Sequence, residues 1–328
     1  MGEPYELTVI VSNYNQESHI AETIESALRQ RTSFPFRIII ADDHSTKDQS
    51  RDIIKQYASR YDNIEPILAE ENKGYLANIL RAKEVTKTRY FCLLDADDYW
   101  TDRDFLQRAY DFLEAHHLYC IYESNVEVLD IAGRRPFVSP RRRAGTYSKE
   151  MLLDGATVPI TQTTGMFLRN SIFINGVPKM MRDAVGTRSE RSFEGDTGRF
   201  IMHLKEGPAY YDGRVVGVYR IAKNGIWSSL RQSKKLIVTA RMQLDYHRYY
   251  GSNSPYFVNK AYRAFQEYLQ EKQREFTALS LDGEFFDEEE RLMAEDVYGF
   301  CKRHAHEIDS EKSSLVNKAR QVYRILKP

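Results

Sequence analysis

The sequence has few cysteines and no long apolar segment. Its three cysteines, Cys92, Cys120 and Cys301, are odd in number and far apart in a chain of 328 residues. This spacing excludes a disulfide framework and favours a reducing compartment. No apolar run approaches the length of a transmembrane helix. The first residues contain no basic segment followed by an apolar one, so we expect no signal peptide and a cytoplasmic location.

The sequence also has no excess of either charge. Lysine and arginine together number 47, aspartate and glutamate also number 47, and the formal net charge is zero. A neutral chain has no overall field that attracts nucleic acid, so we expect no nucleic-acid partner. The hydrophobic content of 42% and the charged content of 29% are ordinary for a globular protein, and the length allows one large or two small domains.

Several phosphate-binding and catalytic motifs are absent. The sequence has neither GxGxxG after its first strand nor GxxxxGK[ST], so it lacks the phosphate cradles of dinucleotide-binding and P-loop proteins. It has neither the GxSxG nucleophile motif nor the HExxH zinc motif. These absences exclude the enzyme classes that depend on those motifs.

The sequence does contain a regular alternation of strand and helix patterns. Short apolar strands are predicted at residues 7–11, 36–41, 64–69 and 89–94, with helical periodicity between them. The first helix is expected to have Asn15 as its N-cap and an apolar stripe that includes Ile20 and Ile24, and a capping box at residues 45–48 is expected to open the second helix. This βαβαβαβ pattern predicts a parallel, doubly wound sheet. A polar cluster follows each strand at once, and right-handed crossovers place all four clusters on one carboxyl edge. The clusters are Ser12/Tyr14, Asp42/Asp43, Asn72/Lys73 and Asp95/Asp97.

The fourth cluster carries the clearest chemical indication. Asp95 and Asp97 are two residues apart at the end of an apolar strand, so in an extended segment both side chains point the same way and can share a hard divalent cation. An Asp-rich turn without a ligand is the alternative for this stretch. An acidic sheet edge repels a phosphorylated ligand, and a cation that bridges a diphosphate removes that repulsion.

Five blocks resemble the signature motifs of family 2 glycosyltransferases, which have the GT-A fold. Residues 9–15, 40–45 and 94–98 resemble the family broadly, and residues 72–78 and 97–100 resemble one bacterial, non-processive subgroup. The resemblance is dense over roughly the first hundred residues and then continues in two short segments. Several spaced motifs in the expected order are more specific than any one of them. The resemblance implies a GT-A type α/β fold, a doubly wound mixed sheet flanked by helices.

The resemblance implies donor-binding roles for residues in the first three clusters. Ser12 and Tyr14 would line the nucleotide pocket, and Asp43 would contact the uracil or ribose. Lys73 and Asn78 would reach the nucleotide or the diphosphate. For these last two residues, a solvated loop lysine and a helix-entry asparagine are an equal alternative.

The fourth cluster is then the DxD element of the family. It consists of Asp95, Ala96 and Asp97. The resemblance implies that Asp97 lies nearest a bound Mg²⁺ or Mn²⁺. Asp95 would also contact the metal from a position nearer the nucleotide, and Ala96 would line the donor site.

A second acidic segment lies at residues 193–200. Glycosyl transfer with inversion requires one carboxylate that accepts the proton of the attacking hydroxyl. The family places this base at an acidic residue that opens a helix, often in a Gly-Asp pair, and Gly195-Asp196 resembles that pattern. The resemblance therefore implies that Asp196 is the catalytic base, with Glu194 as the substitute candidate. An N-cap role for Asp196 is the alternative, and the two roles are compatible.

One segment departs from the family pattern. Residues 218–228 resemble the subgroup's Tyr-Arg-Ile-His-x-x-Gly-x-Trp-Ser segment, but Ala222 stands at the position of the histidine. That histidine is a metal or phosphate ligand in relatives, so either Asp97 holds the cation with diphosphate and water, or Lys223 or Asn224 replaces the histidine. Trp227 is expected either to stack on a sugar or to lie in a core.

These patterns predict three regions. Residues 1–98 form the nucleotide-sugar-binding half, residues 99–228 the acceptor-binding half with the catalytic base, and residues 229–328 a helical C-terminal extension. The C-terminal helices are expected at residues 230–250, 255–279, 287–306 and 311–327. His304 and His306 are too isolated in the sequence to indicate a metal site.

Two basic segments raise the question of membrane contact. The last predicted helix, 311–327, is basic and amphipathic, so it rests either on the inner membrane at its cytoplasmic face or on the protein itself. An arginine-containing loop at 134–143 either attracts an anionic acceptor or phospholipid surface, or is a mobile loop with no ligand.

The sequence therefore predicts an enzyme. We expect an inverting, metal-dependent hexosyl- or N-acetylhexosaminyltransferase that moves one sugar from a nucleoside diphosphate sugar, with UDP as the expected nucleotide, to a glycan or lipid-linked acceptor in polysaccharide or glycoconjugate biosynthesis. The QxxRW motif of processive synthases is absent. The alternatives are a sugar nucleotidyltransferase, for which the glycine-rich loop is missing, and a non-catalytic sugar-nucleotide-binding or membrane-associated protein. An oligomer is compatible with the sequence.

Overall fold

The computed structural model describes two compact units. The first unit spans residues 1–152 and 157–222, and the second spans residues 153–156 and 223–328. The predicted helix at 311–327 lies outside the described residues, and so does the loop at 134–143 apart from Arg143. The described residues are 4–130, 133, 143–222, 225–251, 254–278 and 288–308.

The first unit is built around one mixed sheet. The order of its strands among the described residues is β3-β2-β1-β4-β8-β6-β9-β5, and β7 pairs with β9. The pairs among β1 to β4 are parallel, whereas β8 is antiparallel to both β4 and β6. The predicted doubly wound mixed sheet is confirmed. The strands are β1 (Leu7–Asn13), β2 (Phe36–Asp42), β3 (Ile64–Leu68), β4 (Tyr90–Asp95), β5 (Tyr99–Trp100), β6 (Ile121–Leu129), β7 (Gly145–Tyr147), β8 (Met166–Arg169) and β9 (Ala209–Arg220).

Helices connect these strands and cover the sheet. The predicted apolar stripe of the first helix is confirmed, because Ile20 and Ile24 are fully buried in the same core as Val9 and Val11 of β1. Full burial of each such side chain contributes about 1.5–3 kcal/mol. The helices of this unit are α1 (Ile20–Leu28), α2 (Ser50–Ala58), α3 (Tyr75–Val85), α4 (Phe105–Ala115), α5 (Lys149–Leu153), α6 (Lys179–Arg182), α7 (Arg191–Glu194) and α8 (Asp196–Glu206).

Two helix starts predicted from capping patterns are wrong. Asn15 does not cap α1, which begins at Ile20. Ser45 does not open α2, which begins at Ser50. Both polar residues bond within the loops at the sheet edge instead: the Ser45 hydroxyl donates to Asp42, and the Asn15 side chain accepts a backbone N–H from the same region.

The second unit contains three long helices with their own apolar core. The helices are α9 (Gln232–Tyr250), α10 (Pro255–Ala278) and α11 (Glu288–Arg303), followed by a 3₁₀ turn at Ala305–Glu307. Side chains such as Ile237, Phe265 and Val297 fill the space between them. In the described part of the chain, no helix has the combined length and apolarity that crossing a membrane requires. The three cysteines are unpaired and buried.

A close backbone contact positions the turn that precedes β8. This turn is a 3₁₀ helix, Thr163–Gly165. A Cβ atom at Gly165 would lie 2.3 Å from the backbone oxygen of Ser124 in β6, which is closer than real Cβ contacts allow. The backbone oxygen of Thr164 accepts a hydrogen bond from Trp100 Nε1 at 2.7 Å. The absence of a side chain at Gly165 therefore lets β5, β6 and this turn meet.

Replacing Gly165 with alanine is expected to destabilise the first unit. The added methyl group must push Ser124 away, and overpacking of this kind costs about 1–3 kcal/mol. Urea unfolding monitored by circular dichroism measures the change. Gly145→Ala is the matched control, because a Cβ there meets nothing within 4 Å. Equal stability of the two variants would contradict the close approach.

Candidate active site

The carboxyl ends of the central strands are aligned. Ser12 of β1 is opposite Asp95 of β4, and Asn13 is opposite Asp42 of β2. Asp42 is in turn opposite Leu68 of β3, so the polar residues that follow the third strand begin at the same level. The four polar clusters therefore share one edge of the sheet, where open α/β folds bind their ligands.

Asp42 joins the first two loops beneath this edge. Its fully buried carboxylate accepts hydrogen bonds from the Asn13 side chain at 2.7 Å and from both the hydroxyl and the backbone N–H of Ser45. Arg51 Nε lies 3.5 Å from the same carboxylate. A buried carboxylate is tolerated only with such partners, so Asp42 acts as a structural residue that fixes both loops.

The same loops hold two strained backbone positions. Among the described residues, the non-glycine residues with positive φ are Asn15, at 51°, and His44, at 62°. Such conformations cost on the order of 1–3 kcal/mol each and cluster at ligand-binding sites. Their position in the loops after β1 and β2 supports the assignment of this edge as a site.

Asp43 holds the third loop. Its two carboxylate oxygens accept the backbone N–H of Lys73 at 3.1 Å and that of Gly74 at 2.8 Å. Gly74 donates its N–H to Asp43 with a φ of 89°. Glycine adopts this positive φ without steric cost. The Lys73 side chain is exposed, and its Nζ pairs with Glu71 at 2.6 Å. The Asp43 carboxylate therefore orders the loop that carries Lys73, and its contact with a nucleotide stays a prediction.

Ser12, Tyr14 and Asn78 lie at different depths. Asn78 is buried, and its Nδ2 donates to the backbone oxygen of Ala41 at 2.7 Å and to Ser12 Oγ at 3.3 Å. It therefore joins α3 to the ends of β1 and β2 beneath the edge. Ser12 is half-buried, and Tyr14 is 43% exposed. Of these three predicted donor-binding residues, Tyr14 is the most accessible to a ligand.

Burial raises the pKa of both carboxylates of the predicted DxD element. Tyr75 donates a hydrogen bond to Asp95 Oδ1 at 2.7 Å. Burial, followed by the charge of Asp97, raises the pKa of Asp95 to about 7, although the Tyr75 bond and the charge of Arg199 act to lower it. Burial also raises the pKa of Asp97. Full ionisation of both groups is unfavourable here without added positive charge.

The backbone of this turn is fixed from two sides. The Thr23 hydroxyl of α1 lies within hydrogen-bond distance of the backbone oxygens of Ala96, at 2.8 Å, and of Asp98, at 2.7 Å. The Arg220 guanidinium donates to the backbone oxygen of Asp97. The Ala96 side chain itself is buried in the core, so only its backbone is available at the edge.

Asp98 connects this turn to the second half of the sheet. Its buried carboxylate accepts the backbone N–H of Arg220 at 2.9 Å and the hydroxyl of Thr164 at 2.6 Å. Burial, together with the charges of Asp97 and Asp95, raises the pKa of Asp98 well above its ordinary range. Through these two bonds the end of β4 is held against β9 and against the turn before β8.

Asp196 is the first residue of α8, with Gly195 as the N-cap, so the predicted N-cap role of Asp196 is wrong by one position. The Thr163 hydroxyl donates to Asp196 Oδ1, and Arg199 Nη1 lies 3.5 Å from the same oxygen. Burial raises the pKa of Asp196, whereas the charge of Arg199 and the Thr163 hydrogen bonds oppose that rise. The buried Arg199 also donates to Thr163 Oγ1 at 3.0 Å, which completes a fixed triangle.

Glu194 is less suited to be a base. It is 9% exposed, and its Oε1 accepts a hydrogen bond from Arg191 at 2.5 Å. Burial raises the pKa of Glu194, and the Arg191 charge opposes that rise. Both carboxylates lie near a guanidinium, but Arg191 bonds Glu194 directly, at 2.5 Å. Arg199 lies farther from Asp196, at 3.5 Å, so Glu194 is the weaker proton acceptor.

The charge of Asp196 reaches the acidic turn after β4. The charge of Asp196 contributes to the raised pKa of Asp95. Tyr219 of β9 has its pKa raised to about 12, first by burial and then by the charges of Asp98, Asp196, Asp97 and Asp95. Because such interactions weaken with distance, the four carboxylates lie around one region of the first unit.

The segment that departs from the family pattern offers no new ligand among the described residues. Ala222 follows β9 at the end of the first unit, and its side chain has no donor atom. Lys223 and Asn224 lie outside the described residues. Trp227 belongs to the second unit and is 44% exposed, so its burial in a core is excluded.

Three residues that contact the predicted site carboxylates are not predicted from the sequence: Tyr75, Thr163 and Arg199. Tyr75 lies inside a matching block, but nothing in the block shows that its hydroxyl reaches Asp95. Arg199 follows Asp196 by three residues on one helix, and this spacing is the one available signal, since such residues are neighbours on a helical face. Thr163 has no signal, because its contact with Asp196 joins distant segments.

Comparison with known proteins identifies relatives over different parts of the chain. An uncharacterized protein of Mycobacterium tuberculosis is 28% identical over 224 residues, which is 68% of this chain and 61% of the relative, so the chain spans about 61% of that relative's length. The putative teichuronic acid biosynthesis glycosyltransferase TuaG of Bacillus subtilis is 37% identical over 108 residues, 33% of this chain and 41% of TuaG.

Solved structures share the fold. S. aureus TarS residues 1–349, in complex with UDP-GlcNAc, has a TM-score of 0.62 and 18% identity over 97% of this chain and 88% of that chain. The mannosyltransferase PcManGT of Pyrobaculum calidifontis, in complex with GDP-Man and Mn²⁺, has a TM-score of 0.51 and 14% identity over 98% of this chain and 86% of that chain. At these identities the likeness concerns the fold alone, and it agrees with the predicted GT-A type.

The family itself is recognised over a continuous segment. Residues 8–176, slightly more than half of the 328 residues, match the family model described as glycosyl transferase family 2. This segment includes β1 to β4, the acidic turn after β4 and the turn before β8. The chain therefore belongs to glycosyl transferase family 2.

Proposed function

We propose that the chain is an inverting glycosyltransferase that uses a nucleoside diphosphate sugar, with Asp196 as the base and Asp97 and Asp95 as the ligands of a divalent cation. The observation that carries this proposal is the turn Thr163–Gly165, in which Thr163 bonds Asp196 and Thr164 bonds Asp98 of the acidic turn after β4. Inversion requires a proton acceptor on one side of the reacting carbon and a stabilised diphosphate on the other. The carboxylates around Tyr219 supply both kinds of group.

The proposed reaction is a single displacement. The acceptor hydroxyl gives its proton to the Asp196 carboxylate while its oxygen forms a bond to the anomeric carbon, and the bond from that carbon to the diphosphate oxygen breaks. Thr163 and Arg199 hold the Oδ1 side of Asp196, so the carboxylate is oriented before substrate binds. The pKa of Asp196 is raised by burial, which makes this carboxylate a better base than an exposed aspartate.

The carboxylate oxygens of the acidic turn are suitable ligands for a hard divalent cation. Asp95 and Asp97 offer carboxylate oxygens, the ligands that Mg²⁺ and Mn²⁺ prefer. Both have raised pKa values, which indicates a site where positive charge is lacking. When bound, the cation would neutralise the leaving diphosphate. Mg²⁺ keeps several waters, so the absence of a ligating side chain at Ala222 is compatible with binding.

The proposed donor is a UDP-sugar, and the proposed acceptor is a glycan or lipid-linked polymer. TarS was solved with UDP-GlcNAc, which supports a UDP-hexosamine donor, whereas PcManGT was solved with GDP-Man, which supports a hexose. The name of TuaG refers to teichuronic acid biosynthesis and supports a cell-envelope polysaccharide as product. The proposed donor-site residues are Ser12, Tyr14, Asp43, Lys73 and Asn78. Asn78 would act indirectly, because it is buried beneath the sheet edge and bonds Ser12 and Ala41.

A non-catalytic sugar-nucleotide-binding protein is the second candidate. The observation that favours it is Ala222, since relatives of the matching subgroup have a metal or phosphate ligand at that position. The oriented carboxylate of Asp196 favours the enzyme instead, because donor binding alone needs no base. A sugar nucleotidyltransferase lacks support, because no glycine-rich loop follows β1. Cytoplasmic location, peripheral membrane contact and an oligomeric state stay predictions.

Asp196→Asn separates the enzyme from the binding protein. An amide cannot accept the acceptor's proton, so we expect kcat to fall by about 10²–10⁴-fold. The dissociation constant for UDP-GlcNAc with Mn²⁺ should change little, because Asp196 is proposed to contact the acceptor. Sugar transfer to a panel of lipid-linked and polysaccharide acceptors measures the first quantity, and titration calorimetry measures the second.

Glu194→Gln is the matched control for that experiment. It removes a neighbouring buried carboxylate that pairs with Arg191, so transfer should persist. If Asp196→Asn transfers sugar at the wild-type rate while Glu194→Gln does not, Glu194 is the base and our assignment is wrong.

Tyr75→Phe tests the pKa of Asp95. In the wild type, the proton on Asp95 competes with the cation, so Mn²⁺ affinity should fall as the pH drops through about 7. The Tyr75 bond lowers the pKa of Asp95, and its loss should move this midpoint upward by about one pH unit. Calorimetric Mn²⁺ titrations across pH measure the midpoint. Tyr57→Phe, which loses a 2.8 Å bond to Glu25 elsewhere in the unit, should leave it unchanged, and an unmoved midpoint in Tyr75→Phe would contradict the assignment.

A further inference from the structure

Two histidines and a glutamate converge within the second unit. His247 lies in the last turn of α9, His304 directly follows α11, and Glu307 ends the 3₁₀ turn after it. One ligand atom from each side chain lies within 4.8 Å of the ligand atoms of the other two. His247 and His304 are separated by 57 positions in the sequence, so only the packing of α9 against the end of α11 brings them together.

His247 is buried in this cluster, and His304 and Glu307 are partly buried. His247 is 5% exposed, and its ring meets that of His304 at 4.8 Å and that of Phe300 at 5.1 Å. Phe300 also lies 4.6 Å from the His304 ring, so one aromatic side chain covers both imidazoles. An apolar wall limits access of water and strengthens the binding of a cation by nearby ligands.

The carboxylate is already directed at an imidazole. His304 Nδ1 lies 2.6 Å from Glu307 Oε1, and the backbone oxygen of Glu307 accepts a bond from Asn259 of α10 at 3.2 Å. The 3₁₀ turn is thus anchored to a second helix, which limits the motion of the glutamate. In the structure the His304–Glu307 pair is joined through a proton, and a cation that binds the same two atoms takes the place of that proton.

We propose that His247, His304 and Glu307 form a Zn²⁺ site that joins the end of α11 to α9. Two imidazole nitrogens and one carboxylate oxygen are a ligand set that Zn²⁺ uses, with water in the fourth position. Tetrahedral ligands at about 2.0–2.1 Å from zinc are about 3.3 Å apart, so the 4.8 Å span closes by rotation of side chains. Nitrogen ligands disfavour Mg²⁺, which separates this site chemically from the oxygen ligands at the sheet edge.

Such a site would act on the fold of the second unit. A metal that binds the folded form stabilises it by mass action, and here the bound ion would connect α9 to the end of α11 and to the 3₁₀ turn that follows α11. The inference concerns stability and metal content, and it is independent of the proposed glycosyl transfer.

The test is a calorimetric titration of the full chain with ZnCl₂. The sheet-edge carboxylates also bind cations, so the parent protein for this test carries Asp97→Asn. We expect it to bind one equivalent of Zn²⁺ and to melt at a higher temperature when Zn²⁺ is present. Adding His304→Gln should weaken this binding by at least about tenfold and abolish the melting shift. His117→Gln is the matched control, since His117 is an exposed histidine of the first unit, and it should change neither quantity.

A second measurement guards against misfolding of the variant. Co²⁺ bound by nitrogen ligands in low coordination gives intense visible absorption, whereas Co²⁺ on carboxylates and water absorbs weakly. The parent protein should show the intense bands, and Glu307→Gln should alter them while circular dichroism stays unchanged. Either the absence of these bands or Zn²⁺ binding that His304→Gln leaves intact in a folded protein would overturn the proposal. Neither result would bear on Asp196 or on sugar transfer.

Discussion

Three carboxylates, Asp95, Asp97 and Asp98, lie within four consecutive residues at the end of β4, and the contacts of the neighbouring loops compensate for their charge. Burial and mutual repulsion raise the pKa of Asp95 to about 7 and the pKa of Asp98 well above its ordinary range. Water cannot solvate all three groups, so each needs another partner. Asp98 accepts hydrogen bonds from the Thr164 hydroxyl and from the backbone N–H of Arg220, and Asp95 accepts one from the Tyr75 hydroxyl. The proposed cation is the further partner that Asp95 and Asp97 need.

The same contacts place the proposed base. The first two residues of the short turn Thr163–Gly165 bond different carboxylates: Thr164 bonds the buried Asp98, and Thr163 bonds Asp196. A single 3₁₀ turn therefore connects the carboxylates that end β4 with the carboxylate that begins α8. Gly165 permits this turn to approach β6 closely. The proposed metal-binding turn and the proposed base are thus fixed relative to each other by a few buried hydrogen bonds rather than by a continuous element.

The sequence predicts much of the fold, because apolar strands interrupted by polar clusters specify both the sheet and the edge on which those clusters meet. Residues that contact each other through the fold are harder to predict. Thr163 and Asp196 are 33 positions apart, and Tyr75 and Asp95 are 20 apart, so no local pattern connects them. His304 looks isolated for the same reason, since its neighbour across the helices is far away in the chain. The helix starts predicted at Asn15 and Ser45 are wrong because the side chains of these residues form tertiary hydrogen bonds instead of capping a helix.

The measurement that tests the central claim most directly is the affinity of UDP with and without Mn²⁺. If the acidic edge accepts a diphosphate only through a cation, Mn²⁺ should strengthen UDP binding to the wild type by about tenfold or more, equivalent to about 1.4 kcal/mol, and should have little effect on Asp97→Asn. Equal affinity for UDP in Mn²⁺ and in a chelator would contradict the claim, because it would mean that the carboxylates after β4 do not hold the metal that the diphosphate needs.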